Sequence, residues 1–315
     1  MAHETMDIDL VYLWVDGNDP EWLAKHNACV GKMEAKSATD CKGRYADNDE
    51  LKYSLRSIEK YAPWIHRIFI VTDNQTPAWL DTSDPKIRIV DHSEIMPAVS
   101  RPCFNATVIE HFICDIPGLA EHFLFANDDM FINRPVTPET FFAEDGLPII
   151  RFNRRPFRKF TLWYKEKVQG KKLSNYIQII RNAAELVERK YGKYYGGKTH
   201  HNIDAYLKSD CQHVERMFRK EIEPTLTNHV RSANDIQRNL FAYVALAEKR
   251  AHLHYVGQRT SFRLHIQNES HYAKLERYTP MLFCMNDSQY AGDADREREK
   301  AWLERRFPEK SRFEK

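Results

Sequence analysis

The run Phe123-Leu124-Phe125-Ala126, closed by Asn127-Asp128-Asp129, is the tightest constraint on how this chain can fold. A short, unbroken apolar run bounded by polar residues reads as a strand buried inside a sheet. Such a strand delivers two adjacent carboxylates to the sheet edge, hard oxygen ligands of the kind that hold Mg²⁺ or Mn²⁺. In open α/β sheets, ligands bind beyond the carboxyl ends of the strands, so the position suits a metal–nucleotide site. Asn and Asp equally favour a plain turn after a strand, and the tripeptide alone does not separate the two readings.

The flanking sequence supplies an architecture. Residues 7–15 form a β-rich apolar run that Asp16-Gly17-Asn18-Asp19-Pro20 breaks with turn residues, leaving a loop able to approach a ligand closely. Leu51, Leu55 and Ile58 follow helical spacing over residues 47–61, with Asp47 or Asn48 as N-cap and Pro63 as the stop. Residues 67–72 and 86–91 read as two short buried strands, and residues 105–115 as a helix before Pro117-Gly118. Strands alternating with helices over 1–150 predict an α/β fold with a mostly parallel sheet flanked by helices. Right-handed crossovers then gather the loops after several strands on one edge.

The remainder changes character. Residues 151–200 interleave Arg151, Arg154, Arg155, Arg158 and Lys159 with Phe152, Phe157 and Phe160, followed by a helix around 172–190. This stretch reads as a solvated basic face, or as a patch for a phosphate-bearing polymer or an anionic membrane surface. Residues 201–315 complete the same catalytic domain: 202–248 is helix-dominated, 281–285 is a last strand, and 293–306 a charged helix.

Composition narrows the function classes. With 315 residues and 42% hydrophobic content, the chain can bury a large core. Its 47 basic and 45 acidic residues nearly cancel to +2, which gives no general case for nucleic acid binding. The cysteines are scattered without C-x-x-C spacing, which favours a reducing compartment. No run approaches the ~18 apolar residues of a membrane span, and the N-terminus Met1–Thr5 lacks a signal peptide's hydrophobic region. The expected location is cytoplasmic, with peripheral contact at the inner membrane face left open.

Further polar groups recur at loop positions. His200 and His201 are adjacent and so form no helical metal pair, but a single histidine there suits a general base. Ser232 reads as the N-cap of a helix over 233–248, which puts Arg231 at a helix start favourable for phosphate. A second strand-end pair, Asn286-Asp287, repeats the logic of Asp128-Asp129, and the two pairs could serve one metal.

Taken in order, these segments resemble the Stealth family of hexose-1-phosphate transferases. The first matching region is 7–22, and the second runs from Arg44–Leu51 to residues 125–132. The third is similar to 200–237 and the fourth to 284–315. The resemblance implies a core like the nucleotide-diphosphosugar transferases (GT-A-like), with a helix-rich insertion. It implies transfer of a hexose-1-phosphate from UDP-GlcNAc or a similar donor to a sugar hydroxyl, releasing UMP, in capsular or exopolysaccharide synthesis. The acceptor is then an oligo- or polysaccharide and the cofactor Mg²⁺ or Mn²⁺. On this reading Asp128, Asp129 and Asn286 hold the metal, Arg231 stabilises the phosphoryl group, and His201 is the base, its place three before Asp204 favouring it over His200. Trp14, Asp16, Gly17 and Asn18 line the nucleotide end, Trp14 serving equally well as core. Arg44, Asp47, Asn48 and Arg56 are donor-site or scaffold residues. An ordinary metal-dependent glycosyltransferase releasing UDP would use the same carboxylates. A phosphohydrolase and a silent saccharide-binding module are further alternatives.

Overall fold

The computed structural model describes residues 6–33, 37 and 39–315. The polar segment Met1–Thr5 lies outside the described residues. Four apolar runs form the strands β1 (Ile8–Leu13), β2 (Ile68–Thr72), β3 (Ile87–Asp91) and β4 (His122–Asn127). They make the parallel part of a five-stranded sheet in the order β3-β2-β1-β4, with Leu13 beside Asn127 and Thr72 beside Asp91. The α/β expectation with a mostly parallel sheet therefore holds.

β1, β2 and β4 read as nearly continuous apolar runs because both faces of the sheet are covered there, whereas the edge strand β3 is only partly buried. Val11, Phe69, Val71, Phe123 and Phe125 point into one core, and Leu10, Tyr12, Ile68, Ile70 and Leu124 into the other. Asp9 is the exception within β1. Its buried carboxylate accepts the backbone N–H groups of Arg67 (3.1 Å) and Ala120 (2.7 Å), tying β1 to the approaches of β2 and β4. The chain order of the strands reverses at β1, whose neighbours are β2 on one side and β4 on the other. The crevice of such a sheet opens at the carboxyl ends of those strands, where Trp14 and Asn127-Asp128-Asp129 follow.

Later strands complete the frame: β5 (Met130–Ile132), β6 (Ile149–Asn153), β7 (Lys198–Thr199), β8 (Asp204–Leu207), β9 (His252–Tyr255), β10 (Ser261–His265) and β11 (Leu282–Asn286). β8 lies antiparallel beside β4, while β10-β11-β5 and β7-β6-β9 form two small sheets. Segment 202–248, expected as helix-dominated, thus contains a strand of the main sheet. Its four residues are too few to register as a periodic pattern. No helix among the described residues is long and apolar enough to cross a membrane.

Three local expectations need correction. The N-cap position of helix Glu50–Tyr61 is Asp49, with φ +68°, not Asp47 or Asn48. The Glu50 carboxylate folds back to accept the Asn48 backbone N–H at 2.6 Å, which satisfies that donor before the helix starts. Ser232 caps no helix, because the helix there runs only over Asn239–Ala247. Buried Asp235 instead accepts from Ser232 N–H (2.9 Å) and from the Asn105 and Asn228 side chains, holding residues 228–238 as a loop. Arg151 and Phe152 are not solvated, since they lie inside β6, and the Arg151 guanidinium sits 5.4 Å above the Phe141 ring.

Arg56 joins helix Glu50–Tyr61 to the C-terminal segment. It donates to both oxygens of Glu314, at 2.7 and 2.6 Å, and to the Phe307 carbonyl at 2.7 Å. Burial would raise the Glu314 carboxyl, but Arg56 and Ser311 hold it below its ordinary value. Arg56→Ala should cost on the order of 3 kcal/mol, because it strands a charge-paired carboxylate in a buried place. Urea unfolding at pH 7 measures this. The gap between parent and variant should narrow as the pH falls through the carboxylate range, since a depressed carboxyl stabilises only while ionised.

Candidate functional site

A cleft of about 390 Å³ opens at the carboxyl ends of β1 and β4. The volume is within the range of small-molecule sites. Asp128 and Asp129 occupy the two-residue turn between β4 and β5, so the tripeptide is a turn and a cleft floor at once. β11 pairs with β5, and the Met285 N–H reaches the Asp129 carbonyl at 2.9 Å. The second strand end, Asn286-Asp287, is thereby brought beside the first, and both residues line the cleft.

The floor gathers more carboxylates than the sequence reading named. Glu50, at the start of its helix, lines the cleft, and Glu299 of helix Asp293–Arg306 packs behind it. Both share the Asn48 side-chain amide, at 2.8 and 3.3 Å. Burial, and after it Glu50 and Asp129, push the Asp128 carboxyl well above its ordinary value. Burial and Asp47 push Glu50 up to about 8. Burial lifts Asp129 to about 6 and, with help from Asp49 and Asp16, Asp47 to about 6. Glu299 is raised in the same way by burial and Glu50. Asp129 Oδ1 and Glu299 Oε1 are buried with no hydrogen-bond partner. Like charges packed out of water with unmet acceptors call for a cation.

The donor set fits a hard divalent ion. Carboxylate oxygens suit Mg²⁺ and Mn²⁺, and an imidazole is compatible with Mn²⁺. Ligand atoms of Asp129, His201 and Cys284 lie within 4.8 Å of one another. The Cys284 Sγ stands 3.2 Å from Asp129 Oδ2, and burial and that carboxylate push the thiol well up. It therefore stays a protonated donor to Asp129, not a thiolate of the kind that selects zinc.

The same cleft is also cationic. Arg44, Arg231, Arg238 and Arg263 all line the cleft. Burial and the neighbouring Arg231 lower Arg44 to about 10, a sign of two guanidinium groups held close together. Arg231 Nε is buried without a partner. Arg238 is already committed, with its guanidinium 2.5 Å from Asp204 and 3.3 Å from Glu110. His201 adopts φ +59°, an uncommon conformation for a non-glycine residue, which puts its ring on the cleft. Burial, Arg263 and Lys198 hold its imidazole well below the ordinary histidine value. His200 points elsewhere, with Nε2 buried 3.2 Å from Asp204 Oδ1.

Of the residues expected at the site, Trp14, Arg44, Asp128, Asp129, His201, Arg231 and Asn286 line this one cleft. Asp47 and Asn48 stand behind the floor, bonded to Asp49 and Glu50. The Asp16–Asn18 loop does not line the cleft. A Cβ on Gly17 would come within 2.6 Å of Tyr45, so this glycine serves a close backbone packing, not a ligand. Arg56 is spent on Glu314 and lies off the cleft. Glu50, Glu299, Arg263 and Cys284 were missed; only the acidic run Asp47-Asn48-Asp49-Glu50 carried a sequence signal.

Conserved region 1 of the Stealth proteins matches residues 6–34, and conserved region 2 matches residues 44–150. An exopolysaccharide phosphotransferase of Streptomyces coelicolor is 36% identical, over 98% of this chain and 52% of the relative. The exopolysaccharide phosphotransferase CpsY of Mycobacterium tuberculosis is 35% identical over 98% and 58%. The capsular polysaccharide phosphotransferase Cps1A of Actinobacillus pleuropneumoniae is 38% identical over 73% and 62%. The chain spans roughly half to three-fifths of the length of these relatives. Among solved structures, the galactosyltransferase LgtC, crystallised with donor and acceptor sugar analogues, overlays with a TM-score of 0.45 at 10% identity, covering 96% of each chain.

The crowded floor should make stability depend on pH, and on a divalent cation if one binds there. Its carboxyls bind protons more tightly folded than unfolded, so their contribution is complete below about pH 4. It is lost as the pH rises through the folded values of about 6 for Asp129 and about 8 for Glu50. In EDTA the melting temperature should fall between pH 5 and pH 8, and Mn²⁺ should abolish that fall. Asp128→Asn should melt higher than the parent in EDTA at pH 8, and gain little from Mn²⁺. Thermal melts of both proteins, with and without Mn²⁺, measure this.

Proposed function

The chain belongs to the Stealth family, and from that premise we propose that it transfers a hexose-1-phosphate from a UDP-sugar to a sugar hydroxyl. The donor is UDP-GlcNAc or a close relative, the acceptor a capsular or exopolysaccharide chain, and the product a phosphodiester. One observation carries the reading: crowded carboxylates and several arginines line one and the same cleft. Charge of both signs complements a diphosphate with its metal ion, and a neutral sugar alone would need neither.

Phosphoryl transfer asks the protein for positioning and charge stabilisation. Asp128 and Asp129, with Asn286, would hold a Mg²⁺ or Mn²⁺ ion, which when bound neutralises charge on the diphosphate oxygens. Arg231 and Arg44 hold the phosphates, the guanidinium plane matching a pair of phosphate oxygens. Trp14 bounds the nucleotide end. His201 takes the proton of the acceptor hydroxyl as its oxygen attacks the phosphorus next to the sugar. A bond forms from that oxygen to phosphorus, the phosphorus–oxygen bond to UMP breaks, and UMP leaves with the electron pair.

The released nucleotide tests the reaction. Protein incubated with UDP-GlcNAc, Mg²⁺ and a capsule-type oligosaccharide should yield acceptor-dependent UMP on anion-exchange chromatography. UDP instead would make the enzyme an ordinary glycosyltransferase. Asp129→Ala should keep a cooperative melt and lose turnover. Arg231→Ala should lower kcat by about 10²–10³, as loss of one preorganised charge-stabilising donor does. A variant at Asp129 with parental activity would remove the metal assignment.

A further inference from the structure

A second cavity, of about 340 Å³, adjoins the cleft, and Tyr176 and Arg263 line both. Its other walls carry Arg155, Arg158, Lys198 and Tyr195. No carboxylate is bonded to Arg155, Arg158, Lys198 or Arg263 among the described residues. Arg181 also lines the cavity but is neutralised by Glu166 and Glu185. Lys198 stacks its ammonium 4.7 Å over the Tyr176 ring, and Tyr195, only 7% exposed, has a hydroxyl with no partner. Helix Asn175–Tyr191 also starts here, at its N-cap Ser174, adding the positive end of a 17-residue helix.

Unpaired cations converging on one cavity repel one another. Burial, then Arg263, Arg155 and Arg158, lower Lys198 to about 8. The arrangement is relieved by an anion with several acceptor oxygens. The transfer proposed above makes such an anion at each turnover, since a growing chain carries a phosphodiester one linkage behind its acceptor hydroxyl. We infer that this cavity is the acceptor subsite, in which Arg155, Arg158 and Lys198 bind the phosphodiester preceding the acceptor sugar while Tyr176 and Arg263 lead that sugar to the cleft. The inference rests on the phosphodiester product. It adds a residue-level reason for preferring an acceptor that has already been extended.

A phosphodiester also occurs in lipid headgroups. Beside the cavity Phe157, Phe160 and Trp163 are 82%, 61% and 50% exposed, a combination with basic residues that suits a membrane interface. The enclosure of Lys198 and Tyr195, and the continuity with the cleft, favour the saccharide.

The probe is a synthetic disaccharide joined through a phosphodiester, compared with the same two sugars joined through a glycosidic oxygen. Calorimetry at low ionic strength should give the parent protein a preference for the charged disaccharide of about tenfold or more. Arg155→Ala/Arg158→Ala should lose that preference while binding UDP-GlcNAc as the parent does. Arg155→Ala alone, at an exposed position, should lose part of it and guards against misfolding of the double variant. Equal binding of the two disaccharides by the parent, or an unchanged preference in both variants, overturns the inference. Sedimentation with phosphatidylglycerol vesicles separates the lipid source. Vesicle binding lost while the disaccharide preference survives assigns the cations to a headgroup and also overturns it. Binding is read without turnover, so its failure is distinct from release of UDP in the nucleotide assay.

Discussion

Burying several carboxylates in one place is the constraint on which the rest of this structure depends. Two unit charges ~4 Å apart repel by ~4 kcal/mol at an effective dielectric near 20, and desolvation adds to that. Asp47, Glu50, Asp128, Asp129 and Glu299 are drawn from three distant stretches of chain, so nothing local obliges them to meet. The sheet brings them together: β4 runs into the turn that carries Asp128, helix Glu50–Tyr61 packs on β5, and β11 beside β5 carries the chain on to the helix that holds Glu299. Protons relieve that cost, which is why these carboxyls are raised, and the proposed metal ion would relieve it in their place.

The cations follow the same logic from the other side. Arg238 is paired with Asp204 and lies 3.3 Å from Glu110, which commits it to the protein. Among the described residues Arg263 is bonded to no carboxylate, although it is near enough to lower the Asp129 carboxyl, and Arg231 keeps a buried Nε without a partner. Moving outward from the floor, the molecule passes from excess negative to excess positive charge, and the positive excess continues into the second cavity. That change of sign along the two cavities is what the proposed diphosphate donor and phosphodiester-linked acceptor would complement.

Legibility of these features in sequence varied with the range over which each is determined. The strands 8–13, 68–72, 87–91 and 122–127 were readable because a two-sided buried strand is a local hydrophobic pattern. Asp128-Asp129 was readable because it ends one of them. The helix expected after Ser232 was not correct, because Asp235, buried by tertiary contacts with Asn105 and Asn228, diverted the backbone into a loop. Arg56 looked like a site residue by its place in the second motif, yet its partner Glu314 lies 258 positions away. Arg151 belonged to a basic run in sequence and to a strand interior in space.

Sequence alone was enough for the α/β class, the individual buried strands and the turn that carries Asp128 and Asp129, since each leaves a local hydrophobic or turn pattern. It also carried the family motifs. Only the tertiary structure decided that Asn286 joins the first pair, that His201 and not His200 faces the cleft, and that Glu50 and Glu299 crowd the floor. It alone separated committed arginines from unanswered ones. Those outcomes depend on which strand lies beside which and on which charges lose their water, and no spacing along the chain encodes either.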